Sequence, residues 1–72
     1  QRQQQAHQVM ERAERALANG QMPDLNQWTA MAALTLLENH GIDVNLNGIG
    51  LVQHQSTPAG QRVQSPIKLT LG

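Results

Sequence analysis

The hydrophobic and polar positions of the chain follow two different periods. In the first part, apolar residues recur every three or four positions, at Ala6, Met10, Ala13 and Leu17. This spacing places them on one stripe of an α-helix. Asn19-Gly20 follows, and both residue types tolerate the left-handed conformation in which helices commonly end. We therefore predict a first helix over residues 6–19.

A second helix is predicted over residues 25–39. The stretch Asp24-Leu25-Asn26-Gln27 has the form of a capping box, in which the Asp24 carboxylate accepts from the amide of Gln27 and the Gln27 side chain reaches back. At the other end, Gly41 is suited to the left-handed cap, and Ile42 can fold back onto Leu37 in a Schellman arrangement.

The second helix is apolar around most of its circumference. One side carries Leu25, Trp28, Ala32 and Leu36, and the nearly opposite side carries Ala30, Ala33, Leu34 and Leu37. One partner helix and one small sheet would cover only part of such a surface. The apolar surface of the helix that stays uncovered is either tolerated in contact with water, because alanine is small, or it contacts another subunit. We favour the second interpretation.

Beyond Gly41 the period changes to two, which is typical of strands. The alternation predicts strands over residues 42–46, 49–55 and 62–71. Asn47-Gly48 is a strong signal for a two-residue hairpin. That turn would pair Leu46 with Ile49 and Val44 with Leu51 on one apolar face. Pro66 cannot donate to a ladder, so the third strand is expected at an edge or with a bulge.

These elements predict one α+β domain covering residues 1–72. Its architecture would be two antiparallel-packed helices followed by a three-stranded antiparallel meander, in two layers.

One motif resembles the start of a calcium-binding loop. Asp43, Asn45, Asn47 and Gly48 occupy the first, third, fifth and sixth positions of such a loop, which requires a bidentate acid at its twelfth position. Here the twelfth position is His54, and the alternating apolar residues explain the segment as strand and turn. No metal site and no cofactor are therefore predicted.

Composition narrows the classes of function. The 72 residues have a formal net charge of zero and contain no cysteine. Phosphate backbones are bound by a surplus of Lys and Arg, so a dedicated nucleic-acid binder is disfavoured. The longest apolar run, 30–34, is far shorter than a membrane span. No phosphate loop or nucleophile motif is present, so no enzymatic activity is expected.

The chain opens without Met and without a signal-peptide pattern. We expect either the product of a cleaved precursor or an excised piece of a longer protein, of bacterial or phage origin, with a cytoplasmic location slightly favoured.

The remaining interpretation is a protein–protein interaction or oligomerisation module, the terminal domain of a larger protein, whose partner is a protein or a second copy. The candidate partner-binding residues are Trp28, Met31, Leu34, Ile67, Leu69 and Leu71. The last two would add an edge strand to another chain. Ordinary core is the competing interpretation, above all for Trp28. The alternative function is a regulatory nucleic-acid binder of helix–helix–hairpin type.

Overall fold

Two helices and three strands form the chain in the computed structural model, which describes the backbone of residues 2–72 and the side chains of residues 9–72. The elements are α1 (Arg2–Ala18), α2 (Ala30–Asn39), β1 (Val44–Asn47), β2 (Val52–Gln55) and β3 (Ile67–Leu71). The predicted α+β class is confirmed, although every strand is shorter than expected.

The apolar stripe of α1 packs onto the rest of the chain as its spacing predicted. Ala13 and Leu17 are buried, and Met10 is partly buried against the same core. The side chain of Ala6, the first member of the predicted stripe, lies outside the described residues. The helix ends at Ala18, and Gly20 follows with a φ of 77°.

The predicted start of the second helix is wrong by five residues. Thr29 is the N-cap, and its Oγ1 accepts a hydrogen bond of 3.2 Å from the amide of Ala32. The Asp24 carboxylate instead accepts from the amide of Asn26 at 3.0 Å. Gln27 has a φ of 70°, a left-handed conformation that a right-handed helix cannot contain.

The segment before α2 is held by the sheet instead of forming a helical turn. The Gln27 amide donates to the Val52 carbonyl at 2.7 Å, and the Val52 amide donates to the Trp28 carbonyl at 2.8 Å. The Gln27 amide, which the Asp24 carboxylate would have satisfied in the predicted capping box, is satisfied instead by a carbonyl 25 residues later in the chain. Tertiary pairing therefore outweighs the local capping signal.

The predicted C-terminal end of α2 is confirmed. The Gly41 amide donates to the Glu38 carbonyl at 2.9 Å, and the Ile42 amide donates to the Leu37 carbonyl at 3.0 Å. Gly41 has a φ of 72°. This pair of bonds and this conformation define the Schellman motif.

The predicted antiparallel meander is wrong, because the strand order is β1-β3-β2. Strand β3 lies in the centre, parallel to β1 and antiparallel to β2, with Val44 opposite Ile67 and Val52 opposite Leu71. Strands β1 and β2 do not pair with each other, so the Asn47-Gly48 hairpin does not form. The edge position expected for the third strand is therefore wrong: Pro66 precedes β3, so its missing amide does not interrupt the ladder of a central strand.

Burial explains why β3 takes the central position. Ile67 and Leu69 are completely buried, whereas Leu46 of β1 keeps 41% of its surface exposed. A central strand buries more apolar surface than an edge strand, so the most apolar strand gains most there. The backbone at Gly48, just after β1, passes close to the end of β3. The φ of Gly48 is 100°, and a Cβ at this position would lie 2.5 Å from the Leu71 carbonyl oxygen.

The core lies between the helices and one face of the sheet. It consists of Ala13, Leu17, Met22, Leu25, Ala33, Leu36, Leu37, Val52, Ile67 and Leu69. Most of the apolar surface of α2 is thus covered within the chain. Met31 is the apolar residue of α2 that remains exposed, at 71%. In the described part of the chain, neither helix has the length and apolar character needed to cross a bilayer.

Candidate functional site

A polar cleft lies between the segment before α2, strand β2 and the loop after it. Its volume is about 310 Å³. We call it the polar cleft, and its lining residues are Asp24, Asn26, Val52, Gln53, His54, Gln55, Pro58 and Ala59. Val52 belongs to the hydrophobic core, whereas most of the other lining residues are exposed. The cleft is therefore a polar surface resting on the core.

Gln55 holds both walls of the polar cleft. Its side-chain Oε1 accepts from the Leu25 amide at 2.9 Å, and its Nε2 donates to the Pro23 carbonyl at 2.9 Å. The same Nε2 donates to the Thr57 carbonyl at 2.9 Å. One half-buried carboxamide therefore fixes the segment 23–25 on one side and Thr57 on the other. Such satisfied networks order the backbone around them.

The lining groups of the polar cleft are suited to hydrogen-bonding neutral polar ligands. Asn26 and Gln53 offer carboxamides, His54 an imidazole and Asp24 a carboxylate. Among the residues whose side chains the structure describes, neither Lys nor Arg lines the cleft. The arrangement favours ligands rich in hydroxyl, amide or amino groups over strongly anionic ones.

A second surface, the apolar groove, lies where α1 faces α2. Two adjoining depressions of about 420 and 320 Å³ share Met10 and Ala32. The apolar residues that line the groove are Val9, Met10, Trp28, Met31, Ala32 and Leu36, and the polar residues that line it are Glu14, Thr29, Thr35 and Asn39. Val9 is 47% exposed, so together with Met31 it leaves apolar side chains open to solvent.

The six predicted partner-binding residues are not equally accessible. Met31 is exposed, and Trp28 lines the adjoining part of the apolar groove. Leu34 and Leu71 are half-buried, while Ile67 and Leu69 have no exposed surface. The proposed addition of a strand at Leu69 and Leu71 is wrong, because both edges of β3 are already paired within the chain.

Sequence reasoning missed the other groove residues and the whole polar cleft. Met10 was predicted only as a member of the apolar stripe of the first helix. The cleft combines two segments 30 residues apart, joined by the contact of Leu25 with Gln55. The one feature of the sequence that could have indicated the polar cleft is Gln55, a polar residue in a short strand beside a turn.

The calcium-like motif folds as a strand. Residues 44–47 form β1, and the Asp43 carbonyl accepts from the Ile67 amide at 2.8 Å. In the described part of the chain, no three His, Cys, Asp or Glu side chains are grouped as metal ligands would be. The nucleic-acid alternative also loses its basis, because the helix–helix–hairpin order does not exist.

The fold and the matched residues define the class of the domain. Residues 20–72 match the model of the PASTA domain, so the chain belongs to the PASTA family. PASTA domains are non-catalytic and occur in enzymes such as penicillin-binding proteins. Helix α1 lies outside the matched residues, although Ala13 and Leu17 contribute to the core.

A solved structure shows the same fold. Penicillin-binding protein 2X from Streptococcus thermophilus is similar with a TM-score of 0.66 and 32% sequence identity. The similarity covers 72% of this chain and 8% of that protein, so this chain spans a small part of it. No curated protein matches the sequence.

Proposed function

We propose that this chain is a non-catalytic peptidoglycan-binding module of a bacterial protein. The match of residues 20–72 to the PASTA domain is the observation that carries the proposal. PASTA domains are typically small modules of penicillin-binding proteins and kinases that bind peptidoglycan, and they also bind β-lactams. The proposal implies a location outside the cytoplasm, in contrast to the location favoured from the sequence.

The polar cleft supplies the chemistry that such a ligand requires. Peptidoglycan offers sugar hydroxyls, acetamido groups and peptide amides, which both donate and accept hydrogen bonds. The carboxamides of Asn26 and Gln53 can do the same, and the carboxylate of Asp24 accepts from hydroxyl and amide donors. Because Gln55 fixes both walls, little backbone ordering is required on binding.

Titration with a soluble disaccharide–peptide fragment of peptidoglycan, followed by amide chemical shifts in NMR, tests this proposal. We expect the largest shifts at residues 24–26 and 53–55. Asn26→Ala and His54→Ala should each weaken binding several-fold, since both side chains are exposed and line the cleft.

Asn45→Ala is the matched control for Asn26→Ala. Asn45 is exposed on β1, away from the residues that line the polar cleft, and its loss should leave affinity unchanged. Absence of any shift at millimolar fragment would refute the proposed function. Shifts confined to residues outside the cleft would refute its location.

A second candidate function is self-association through the apolar groove. It is favoured by the exposure of Met31 and Val9 beside Trp28. The chain has a formal net charge of zero, so two copies do not repel each other strongly. This candidate keeps Trp28 and Met31 from the oligomerisation hypothesis and adds Val9 and Met10. It leaves out four predicted residues that do not line the groove, which are Leu34, Ile67, Leu69 and Leu71.

Sedimentation equilibrium over a wide concentration range tests self-association. We expect a concentration-dependent dimer that Met31→Glu abolishes, because a carboxylate would be buried in the apolar contact. Gln61→Glu adds the same charge at an exposed position outside the groove and should leave the dimer intact. A monomer at all concentrations would eliminate this candidate.

A further inference from the structure

The sheet has one open edge in the described part of the chain. Both sides of β3 are paired, and the outer side of β2 bonds at Val52 to the backbone of residues 27–28, at 2.7 and 2.8 Å. Strand β1 has β3 on one side and no strand on the other. We call this outer side of β1 the open edge, and its backbone groups are available for pairing with another strand.

The hydrogen-bonding groups of the open edge belong to Val44 and Leu46. In a parallel pair, every second residue of a strand bonds to its neighbour, and here the Ile67 amide donates to the Asp43 carbonyl at 2.8 Å. Residues 43, 45 and 47 thus bond toward β3, whereas the amides and carbonyls of Val44 and Leu46 point away from it. Among the described residues, these outward groups have no hydrogen-bond partner.

Residues 44–47 carry none of the features that commonly block strand pairing. Their sequence, Val-Asn-Leu-Asn, is uncharged, and their register with β3 runs without a bulge, whereas the pairing of β2 shifts between Val52 and His54. Natural edge strands are protected by Lys, Pro or bulges. Leu46 also keeps 41% of its surface exposed. A regular, uncharged edge with an exposed leucine favours the addition of another strand.

We propose that the open edge pairs with the open edge of a second copy, antiparallel and about a two-fold axis at Asn45. Val44 then faces Leu46 of the second copy, and each such pair exchanges both backbone hydrogen bonds. The two three-stranded sheets become one continuous sheet. Because paired residues share a face, the exposed part of Leu46 packs against an apolar neighbour and leaves water.

Charge and backbone conformation both favour this register. Asp43 is the one charged residue of the segment 43–47, and it lies opposite Asn47 of the second copy. The two Asp43 residues are then about 13 Å apart along the strands, which exceeds the Debye length of about 8 Å at physiological ionic strength. A register one pair further along would need an extended Gly48, whose φ is 100°. The same edge therefore complements itself.

The open edge is separate from the two surfaces described above. None of residues 44–47 lines the polar cleft or the apolar groove. Pairing at β1 consequently leaves the polar cleft open to a ligand, and it does not depend on contact between two apolar grooves. The inference stands or falls independently of both proposed functions.

Disulfide trapping tests the pairing, because the chain contains no cysteine of its own. Asn45 lies opposite its own copy in a non-hydrogen-bonded pair, where Cα atoms are about 4.5 Å apart and within reach of a disulfide. Asn47→Cys is the matched control, since Asn47 is exposed on the same face of β1 but lies about 13 Å from its copy. In a glutathione buffer we expect about tenfold more covalent dimer from Asn45→Cys than from Asn47→Cys.

Second substitutions in Asn45→Cys show which surface brings the copies together. Leu46→Lys should abolish trapping, as lysine does at natural edges, whereas Met31→Glu in the apolar groove should leave it unchanged. Equal trapping of the two cysteine variants, more trapping of Asn47→Cys, or no covalent dimer from either would overturn the inference. It is also overturned if Met31→Glu abolishes trapping and Leu46→Lys does not, because the copies would then meet through the apolar groove.

Discussion

The polar cleft and the apolar groove are held in shape by different forces. Three hydrogen bonds from one half-buried side chain, Gln55, fix the walls of the polar cleft. The apolar groove is formed by side chains such as Met10 and Trp28, which pack partly against the core and remain partly open. The first surface is pre-organised for a polar ligand, whereas the second is apolar area that a partner would remove from water.

The largest expected effect on this comparison comes from Gln55→Leu. The substitution keeps the size of the side chain but leaves the Leu25 amide and the carbonyls of Pro23 and Thr57 without this partner. We expect the free energy of unfolding to fall by about 2–3 kcal/mol, because unsatisfied backbone groups are costly. Urea denaturation measures it.

Gln53→Leu is the matched control, since Gln53 also lines the polar cleft, but its two hydrogen bonds, with the Gln27 side chain and the Gly72 carbonyl, are exposed to solvent. Its loss should cost less than about 1 kcal/mol. Equal losses for the two variants would mean that Gln55 does not organise the cleft, and the contrast between the two surfaces would disappear.

The next largest effect concerns α1, which forms one wall of the apolar groove. Leu17 is 8% exposed, so Leu17→Ala should lower the free energy of unfolding by about 2–3 kcal/mol. Val9→Ala, at the open groove, should cost less than about 0.5 kcal/mol. Two-state urea curves for both variants would support our proposal that residues 1–72 form one cooperative domain. A near-zero effect of Leu17→Ala would show that α1 is an appendage to the matched domain.

A smaller difference in the free energy of unfolding is expected between substitutions of Thr29 and of Asp24. Thr29 caps α2 at one end of the apolar groove, so Thr29→Ala should cost about 1 kcal/mol. Asp24→Ala removes the hydrogen bond that the exposed Asp24 carboxylate accepts from the Asn26 amide, and it should cost about half of that or less. If thermal unfolding showed a larger loss of stability for Asp24→Ala than for Thr29→Ala, the capping box predicted from the sequence would be supported instead.

The two ends of α2 show when a helix boundary can be predicted from the local sequence and when it cannot. Its C-terminal end depends on Gly41 and Ile42 folding back onto the preceding turn, and the sequence prediction was right. Its N-terminal end is decided by hydrogen bonds between residues 27–28 and Val52, which no local pattern contains. The α+β class could likewise be predicted from the two periods, because each period is a local property.

Strand order and site depended on contacts distant in sequence. Asn47-Gly48 is a strong hairpin signal, but placing β3 in the centre buries Ile67 and Leu69 completely. Of the apolar groove, Trp28 and Met31 were predicted as partner-binding residues from the apolar pattern of residues 25–39. The polar cleft was not, because it exists only once Gln55 bonds to residues about 30 positions earlier.

The smallest expected effect is at Met31, the most exposed apolar residue of the groove. Met31→Ala should change the free energy of unfolding by no more than about 0.5 kcal/mol, since 71% of the residue already contacts solvent. Met22→Ala, the same substitution at a residue that is 1% exposed, should cost about 2 kcal/mol. Urea denaturation at low protein concentration measures both without a contribution from association. A loss at Met31 close to that at Met22 would mean that Met31 is packed within the monomer, and the apolar groove would then be core instead of a surface open to a second copy.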